Sequence, residues 1–424
     1  MRPSSMPTLL AWLLISPALL PQSGPKQSDF ALERAADAAI LDGLCWLARH
    51  QNSDGSWSAD KLQERCAKSS RCFDESLHRT EHYAEGVTGL ALLCFLRAGY
   101  TPDSKEELPD THAGTRHSVQ QVMSRALEWL LARQNKDGSF TPERPFMYNE
   151  AMAALPLAEV FDRTRNQKWR VPAQRSIDLL QDAQRRNPTG KGLWGWRYES
   201  RRVLEQRIGD GDKAAGKNAG ELHGADISVT AWCTAALRAG QDAGLKVKAD
   251  ALTGALDFCS SCTVADGRVG YLDADSAGAF VEGPFDKEFD YHPAVMSAAG
   301  ICIRSLASRR PDATVLEKSA DRILEDPPTI GKKPDSIDYY YWYYGTSALS
   351  HVDGPRSAKK SGRYWKPWMR VVVDSLLSLQ DRTEKACRHG GWLTCDRWSL
   401  YSGEGPLAAT TLSLLTLEAA VGSK

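Results

Sequence analysis

The sequence predicts an all-α, single-domain protein of about six helix pairs, closed as an inner ring of helices inside an outer ring. Three observations predict it. A unit of helix, Asp-Gly turn, loop and second helix recurs from end to end. In most units the second helix is apolar almost all round, so it needs neighbours on every side. An aromatic residue follows many of the turns, which accounts for the 13 tryptophans.

Closure follows from burial. A lone helix pair cannot bury two faces, so neighbours must stack. An open solenoid would still leave the second helices half exposed. The turn residues fit a closed ring. Asp-Gly gives a tight reversal, the aromatic fills the gap between neighbouring helices, and Gln51, Gln134 and Gln380 can bond exposed backbone at helix ends.

The first pair runs from about Phe30 to His50 and from Val87 to Leu96, joined by Gln51-Asn52-Ser53-Asp54-Gly55-Ser56-Trp57. The second spans Val119 to Gln134 and Tyr148 to Val160, with Asp137-Gly138-Ser139-Phe140 between them. The third pairs Val171 to Gln184 with Asp226 to Gly240 across a degenerate turn, Gly192 to Trp196, and a loop from Ser200 to Gly220 without periodicity. The fourth pairs Lys248 to Cys259 with Pro293 to Leu306, and Pro293 suits a first helical position. The fifth, Asp312 to Leu324 and Ile337 to Leu349, has a Pro-rich loop and no recognisable turn. The sixth pairs Trp365 to Gln380 with Pro406 to Ala420 through Gly390-Gly391-Trp392.

Composition narrows the partners. The chain has 424 residues, 42% apolar and 25% charged, with 53 basic and 53 acidic side chains. Zero net charge argues against an electrostatic nucleic-acid binder. Arg2, the apolar run Leu9 to Leu20 and the polar stretch Pro21 to Pro25 read as a signal peptide over residues 1–25. That predicts export to a periplasmic or extracellular space, with the toroid domain over residues 26–424. The rival reading is a disordered or membrane-tethered N-terminus. The apolar run is too short for a comfortable transmembrane helix, and no span is expected in the mature chain.

The ten cysteines fall into two groups. Cys45, Cys94, Cys233 and Cys302 lie in apolar helical runs and read as buried small hydrophobes. Three local disulfide pairs suit an oxidising compartment: Cys66 with Cys72, Cys259 with Cys262, and Cys387 with Cys395. Zinc is the rival at Cys259 and Cys262, but no second pair of ligands stands at suitable spacing. No metal and no cofactor is expected, with His82, His223 and His292 beside the carboxylates at the inner-helix starts as the alternative metal-binding set.

The turns Gln51-x-x-Asp54-Gly55-Ser56-Trp57 and Gln134-x-x-Asp137-Gly138-Ser139-Phe140, and the stretch from Gln380 to Gly390-Gly391-Trp392, resemble the repeats of squalene–hopene cyclases and prenyltransferase β-subunits. The run Tyr339 to Thr346 resembles a segment common in bacterial proteins of this terpenoid cyclase-like superfamily. The resemblance covers roughly residues 30 to 422 and implies an α/α toroid. It implies no particular activity. The Asp-x-Asp-Asp segment of class II cyclases is absent: Asp273-Ala274-Asp275-Ser276 is the nearest run, and Asp226 keeps one acid of the pattern. Asp338 is followed two residues on by Tyr340, where the Asp-x-Cys pair of a prenyltransferase zinc site needs Cys. The Gly-Cys-Gly-Glu-Gln thioester motif is absent too.

In such a toroid the inner helices start at one end of the ring. Candidate cavity residues there are Tyr83, Glu85, Tyr148, His223, His292, Asp338, Tyr339, Tyr340 and Glu404. Converged acids in a closed mouth can hold a raised pKa and serve as general acids, and Asp226 and Glu150 are the catalytic candidates. Capping of helix N-termini competes with catalysis for every one of these acids. For the aromatic run, core packing competes with ligand stacking. The basic stretch Arg197, Arg201, Arg202, Arg207, Lys213 and Lys217 reads as a solvated loop, with a lid over the mouth as the alternative.

Three functions are therefore expected in order. The first is a non-catalytic exported toroid that binds an apolar ligand or a protein partner. The second is an isoprenoid-processing enzyme using the mouth acids. The third is a carbohydrate-active toroid with paired carboxylates.

Overall fold

The computed structural model describes residues 29–66, 72, 83–141, 146–211, 224–276, 294–331, 336–384, 386–394, 396–402 and 404–422. In chain order its elements are α1 (Asp29–Arg49), α2 (Ala59–Arg65), α3 (Ala84–Arg97), β1 (Glu107–Asp110), β2 (Thr115–Ser118), α4 (Val119–Arg133), α5 (Met147–Thr164), α6 (Gln167–Ala183) and α7 (Arg201–Gly209). Then follow α8 (Ile227–Asp242), α9 (Ala249–Ser261), α10 (Val295–Ala307), α11 (Ala313–Glu325), α12 (Tyr339–Val352), α13 (Trp365–Leu379), α14 (Arg397–Tyr401) and α15 (Pro406–Val421).

Helices α3, α5, α8, α10, α12 and α15 form the inner ring, each packed on the next, and α15 packs back on α3. Around them stand α1, α4, α6, α9, α11 and α13, and α1 packs on α13 to close the outer ring. The result is an α/α toroid. Gly86, Asn149, Tyr340 and Ala408, near the starts of four inner helices, line one cavity, whereas Arg97, Glu159, His351 and Glu418, near the ends, line another. The inner helices therefore run the same way.

Uniform burial explains the apolar second helices. In α15 every residue from Pro406 to Ala420 is buried. Two of its threonine hydroxyls bond back one turn, Thr411 to the Leu407 carbonyl at 2.8 Å and Thr416 to that of Leu412 at 2.6 Å. The four cysteines of the apolar runs, Cys45, Cys94, Cys233 and Cys302, are buried as expected.

Each turn residue has a mechanical role. The Gln amide donates both to its own turn and to the next outer helix. Gln51 reaches the Gly55 carbonyl at 2.9 Å and that of Val122 in α4 at 2.8 Å. Gln134 reaches Pro172 in α6 at 3.0 Å. Gln380 reaches Gly390 at 2.9 Å and Ala39 in α1 at 2.8 Å, joining the last unit to the first. Glycine is required where the turn meets the neighbouring helix. Gly55 and Gly390 have φ of +97° and +90°, and a Cβ there would stand 2.4 Å from the Arg125 carbonyl oxygen and 2.3 Å from that of Asp42. The turn Trp indoles then donate to the outer helix of their own unit: Trp57 to Leu47 at 2.8 Å, Trp196 to Leu180 at 2.7 Å and Trp392 to Leu376 at 2.9 Å.

Two units that look irregular in sequence keep this scheme. The degenerate third turn uses Gln184, whose amide donates to Trp194 at 2.6 Å and to Ala251 in α9 at 2.8 Å. The fifth has no turn Trp, and the Tyr341 hydroxyl does the same task from the inner helix, donating to the Asp326 carbonyl at 2.7 Å. Gln184→Ala leaves the buried Ala251 carbonyl and the half-buried Trp194 carbonyl short of a donor, so it should cost about 1–3 kcal/mol in urea unfolding. A loss within a few tenths would remove the stapling role.

The stretch after Ser200 is not all loop. Helix α7 forms there, with Ser200 capping it by accepting from the Val203 N–H at 3.2 Å. Leu204 is its buried residue, and a single apolar anchor leaves no period to read. Among the described residues no helix is long and apolar enough to cross a membrane.

Candidate functional site

The inner-helix starts and the loops above them enclose a cavity of about 660 Å³. This lies within the range of ordinary ligand sites, about 300–1,000 Å³. Its floor is apolar: Val87 and Leu90 from α3, Met152 from α5, and Ala408 and Leu412 from α15. Its walls are aromatic. Tyr83 packs on Phe146 with ring centroids 5.1 Å apart, Phe146 on Tyr148 at 5.6 Å, Tyr148 on Tyr198 at 6.1 Å, and Tyr340 on Trp398 at 5.2 Å.

One wall is polar. The Arg197 guanidinium lies 5.1 Å from the Tyr198 ring centroid and 5.8 Å from that of Tyr271. The hydroxyls of Tyr198 and Tyr271 hydrogen-bond each other. Tyr148 donates its hydroxyl to Ser228 Oγ at 2.7 Å, and Ser228 donates to Asp226 Oδ1 at 2.6 Å. Asp226 also caps α8, accepting from the Val229 N–H at 2.8 Å. Its Oδ2 faces Arg197 Nη1 at 3.7 Å. Burial raises the Asp226 pKa, against the opposing pull of Arg197. A hydroxyl chain thus runs from the cavity wall to a buried acid that is not itself part of the lining.

The other mouth acids grip backbone or a cation. Glu150 accepts from the Phe140 N–H at 3.0 Å and from the Thr141 hydroxyl at 2.8 Å, and burial pushes its pKa up to about 7. Glu404 accepts from the Ala59 N–H at 2.8 Å and the Tyr83 N–H at 3.3 Å, and burial pushes it up to about 8. Glu85 accepts from Arg133 at 2.7 Å. Asp338 caps α12 by accepting from the Tyr341 N–H at 2.7 Å. Tyr339 turns away and donates to the Thr394 carbonyl at 2.9 Å. Of the candidates drawn from sequence, Tyr83, Tyr148 and Tyr340 line the cavity. His82, His223 and His292 lie outside the described residues.

Sequence reasoning missed Phe146, Tyr198, Tyr271 and Trp398, and brought Arg197 to the mouth only through the alternative of a lid. A signal existed for two of them. Tyr198 and Tyr271 each stand two residues beyond the turn residue, Trp196 or Val269, whose N–H binds an inner-helix hydroxyl. That bond fixes where the following residues enter the mouth. Within the basic stretch, Arg197 faces the cavity, while Arg201, Arg202 and Arg207 pair with Glu205 at 2.8 Å, Asp137 at 2.7 Å and Glu199 at 2.8 Å. Lys213 and Lys217 lie outside the described residues.

The expected disulfides need correction. Cys66, Cys72, Cys259, Cys262 and Cys387 are free thiols, and Cys395 lies outside the described residues. Cys259 donates to the Gly300 carbonyl at 3.7 Å, and Cys262 is buried beside it. Cys66, Cys72 and Cys387 instead converge on His50.

No protein-family profile and no curated protein matches the sequence. Solved structures do. The type II terpene cyclase MstE from Scytonema, in complex with its product merosterolic acid A, superposes with a TM-score of 0.53 at 14% identity, covering 93% of this chain and 99% of that one. An inactive variant of the alpha-1,6-mannanase GH76A of Salegentibacter sp. HEL1_6, in complex with alpha-1,6-mannotetrose, superposes with a TM-score of 0.52 at 9% identity, covering 92% and 98%. These likenesses support an α/α toroid fold. At such identities they speak to fold alone.

Proposed function

We propose that this toroid is a binding protein for an apolar small molecule, of isoprenoid or polycyclic type, carrying one polar or anionic end. The aromatic cavity with a single cationic wall supports the reading most directly. Tyr83, Phe146, Tyr148, Tyr340 and Trp398 offer flat apolar surface, and Arg197 with the tyrosine hydroxyls offers the polar anchor. The lining favours a small molecule over a protein partner. Glycosidic chemistry needs a facing pair of carboxylates. Among the described lining residues Glu199 is the one carboxylate, and Arg207 holds both its oxygens at 2.8 and 2.9 Å.

Mass spectrometry of small molecules extracted from the purified protein tests this. A stoichiometric apolar molecule is the expected result. Ala408→Trp, which fills the floor, should reduce its occupancy at least about tenfold. Arg197→Ala should weaken an anionic probe such as farnesyl diphosphate about tenfold or more while changing farnesol less. An empty wild-type protein that binds neither probe would overturn the proposal.

The hydroxyl chain from Tyr148 to Asp226 supports a second reading, an isoprenoid-processing enzyme in which the buried carboxyl relays a proton to the cavity through Ser228 and Tyr148. Turnover of farnesyl diphosphate or of the extracted molecule, lost in Asp226→Asn with binding retained, would favour it. Unchanged turnover in that variant would remove Asp226 from the chemistry.

A further inference from the structure

We infer that His50, Cys66, Cys72 and Cys387 form a closed zinc site that clasps the first repeat to the last. The site is distant in role from the aromatic cavity and rests on separate residues. The four ligand atoms all lie within 4.8 Å of one another. His50 Nε2 stands 3.1 Å from Cys387 Sγ, 3.4 Å from Cys72 Sγ and 3.7 Å from Cys66 Sγ. A tetrahedral zinc ion with Zn–S near 2.3 Å and Zn–N near 2.0 Å separates its nitrogen and sulfur ligands by about 3.5 Å. The three observed separations bracket that edge.

The imidazole is prepared for the task. His50 is fully buried. Its Nδ1 lies 2.8 Å from the Trp46 carbonyl oxygen, so Nδ1 carries the proton and donates it there. Nε2 then keeps its lone pair and points at the three sulfurs. A ligating histidine that gives its other N–H to a backbone carbonyl is the usual outer-shell arrangement of a protein-bound metal. Stacking of the ring on Trp46, with centroids 4.2 Å apart, fixes its plane. The turn that brings Cys387 is fixed too, because Arg49 donates to the His389 carbonyl at 2.5 Å.

The donor set selects the ion. Three soft sulfurs and one imidazole suit zinc and do not suit calcium or magnesium. With four protein ligands there is no open position, so the role is structural. On binding, the three thiols give up their protons to solvent and no electrons move. The placement explains the purpose. His50 follows α1, Cys66 follows α2 and Cys387 precedes the last turn, so the ion ties the unit-one helices to the unit-six turn. Gln380 and Gly390 meet α1 along the same seam.

The test uses the full chain, purified under reduction, with cobalt(II) as the probe. After metal removal and cobalt titration, thiolate-to-cobalt charge transfer and tetrahedral visible bands should appear at one equivalent. Asp42, His112 and His389 form a neighbouring nitrogen–oxygen trio, and sulfur charge transfer excludes it as the source. Cys66→Ser and Cys387→Ser should abolish or strongly shift the bands, whereas Cys262→Ser should retain them. Alkylation of the wild-type protein reads the site without any substitution. Half-buried Cys66 and Cys387 should be protected with zinc bound and labelled after chelation. Missing cobalt bands, bands unchanged in Cys387→Ser, labelling indifferent to chelation, or a disulfide involving any of the three cysteines would overturn the assignment.

Discussion

Trp392→Ala should be the most damaging single substitution at the seam of the ring, lowering the unfolding free energy by about 4 kcal/mol or more. The indole is fully buried. It fills the space between α13 and α15, and its N–H satisfies the Leu376 carbonyl at 2.9 Å. Its backbone N–H is held by the Thr410 hydroxyl at 3.0 Å, so the cavity left by truncation cannot close by moving the turn. Large-to-small changes at such sites cost about 3–5 kcal/mol, and the orphaned carbonyl adds to that. Trp392→Phe separates the terms. It keeps most of the volume and loses the hydrogen bond, so a cost of about 1–2 kcal/mol is expected. Urea unfolding followed by circular dichroism measures both. Equal losses in the two variants would show that the hydrogen bond, not the volume, carries the position.

The fold was legible because the repeat announces itself three times over, in Gln, in Asp-Gly and in the aromatic residue. The structure gives Gln, Gly and Trp separate mechanical jobs at the turns that carry them. Where the code weakens, at Gln184 and Tyr341, the job survives with other residues, which a pattern search cannot see. The site was less legible. Residues at inner-helix starts, Tyr83, Tyr148 and Tyr340, could be placed at the mouth from helix polarity alone. Arg197, Tyr198 and Trp398 reach it from loops, where no period fixes direction. The mouth acids were visible as types but not as partners. Glu150 and Glu404 hold backbone N–H groups of segments that precede them, a use that only the packed ring reveals. The cysteines show the same limit more sharply. Pairing by nearness in sequence joins Cys387 to Cys395. Ring closure instead brings Cys387 beside His50, which is 337 positions away.

Stability should fall as pH rises from about 5 to about 8, and Glu404 should account for much of the fall. Its carboxyl is fully buried, and burial lifts its pKa to about 8 from an ordinary 4.5. The folded state therefore holds a proton that the unfolded chain has released across that window. The contribution is fully present below the unfolded value near 4.5 and is lost as pH climbs through about 8. At about 1.4 kcal/mol for each pKa unit, the upper bound is about 5 kcal/mol. Glu150, lifted by burial to about 7, acts in the same direction. The turn aspartates oppose this at the acid end. In Asp54 burial works upward, but hydrogen bonds from Ser56 and Lys61 outweigh it and hold the pKa at about 2. Its contribution is present above the ordinary 3.8 and is lost as pH falls toward about 2. The two trends place the stability maximum near pH 4–5, as an order-of-magnitude balance of these groups. Glu404→Gln keeps one oxygen for the Ala59 N–H, gives up the longer bond from the Tyr83 N–H, which reaches the other carboxylate oxygen, and removes the titration. Its urea midpoint should therefore change less than wild type between pH 5 and pH 8. Parallel curves for the two proteins would show that Glu404 titrates normally and that its grip on Ala59 does not depend on a bound proton.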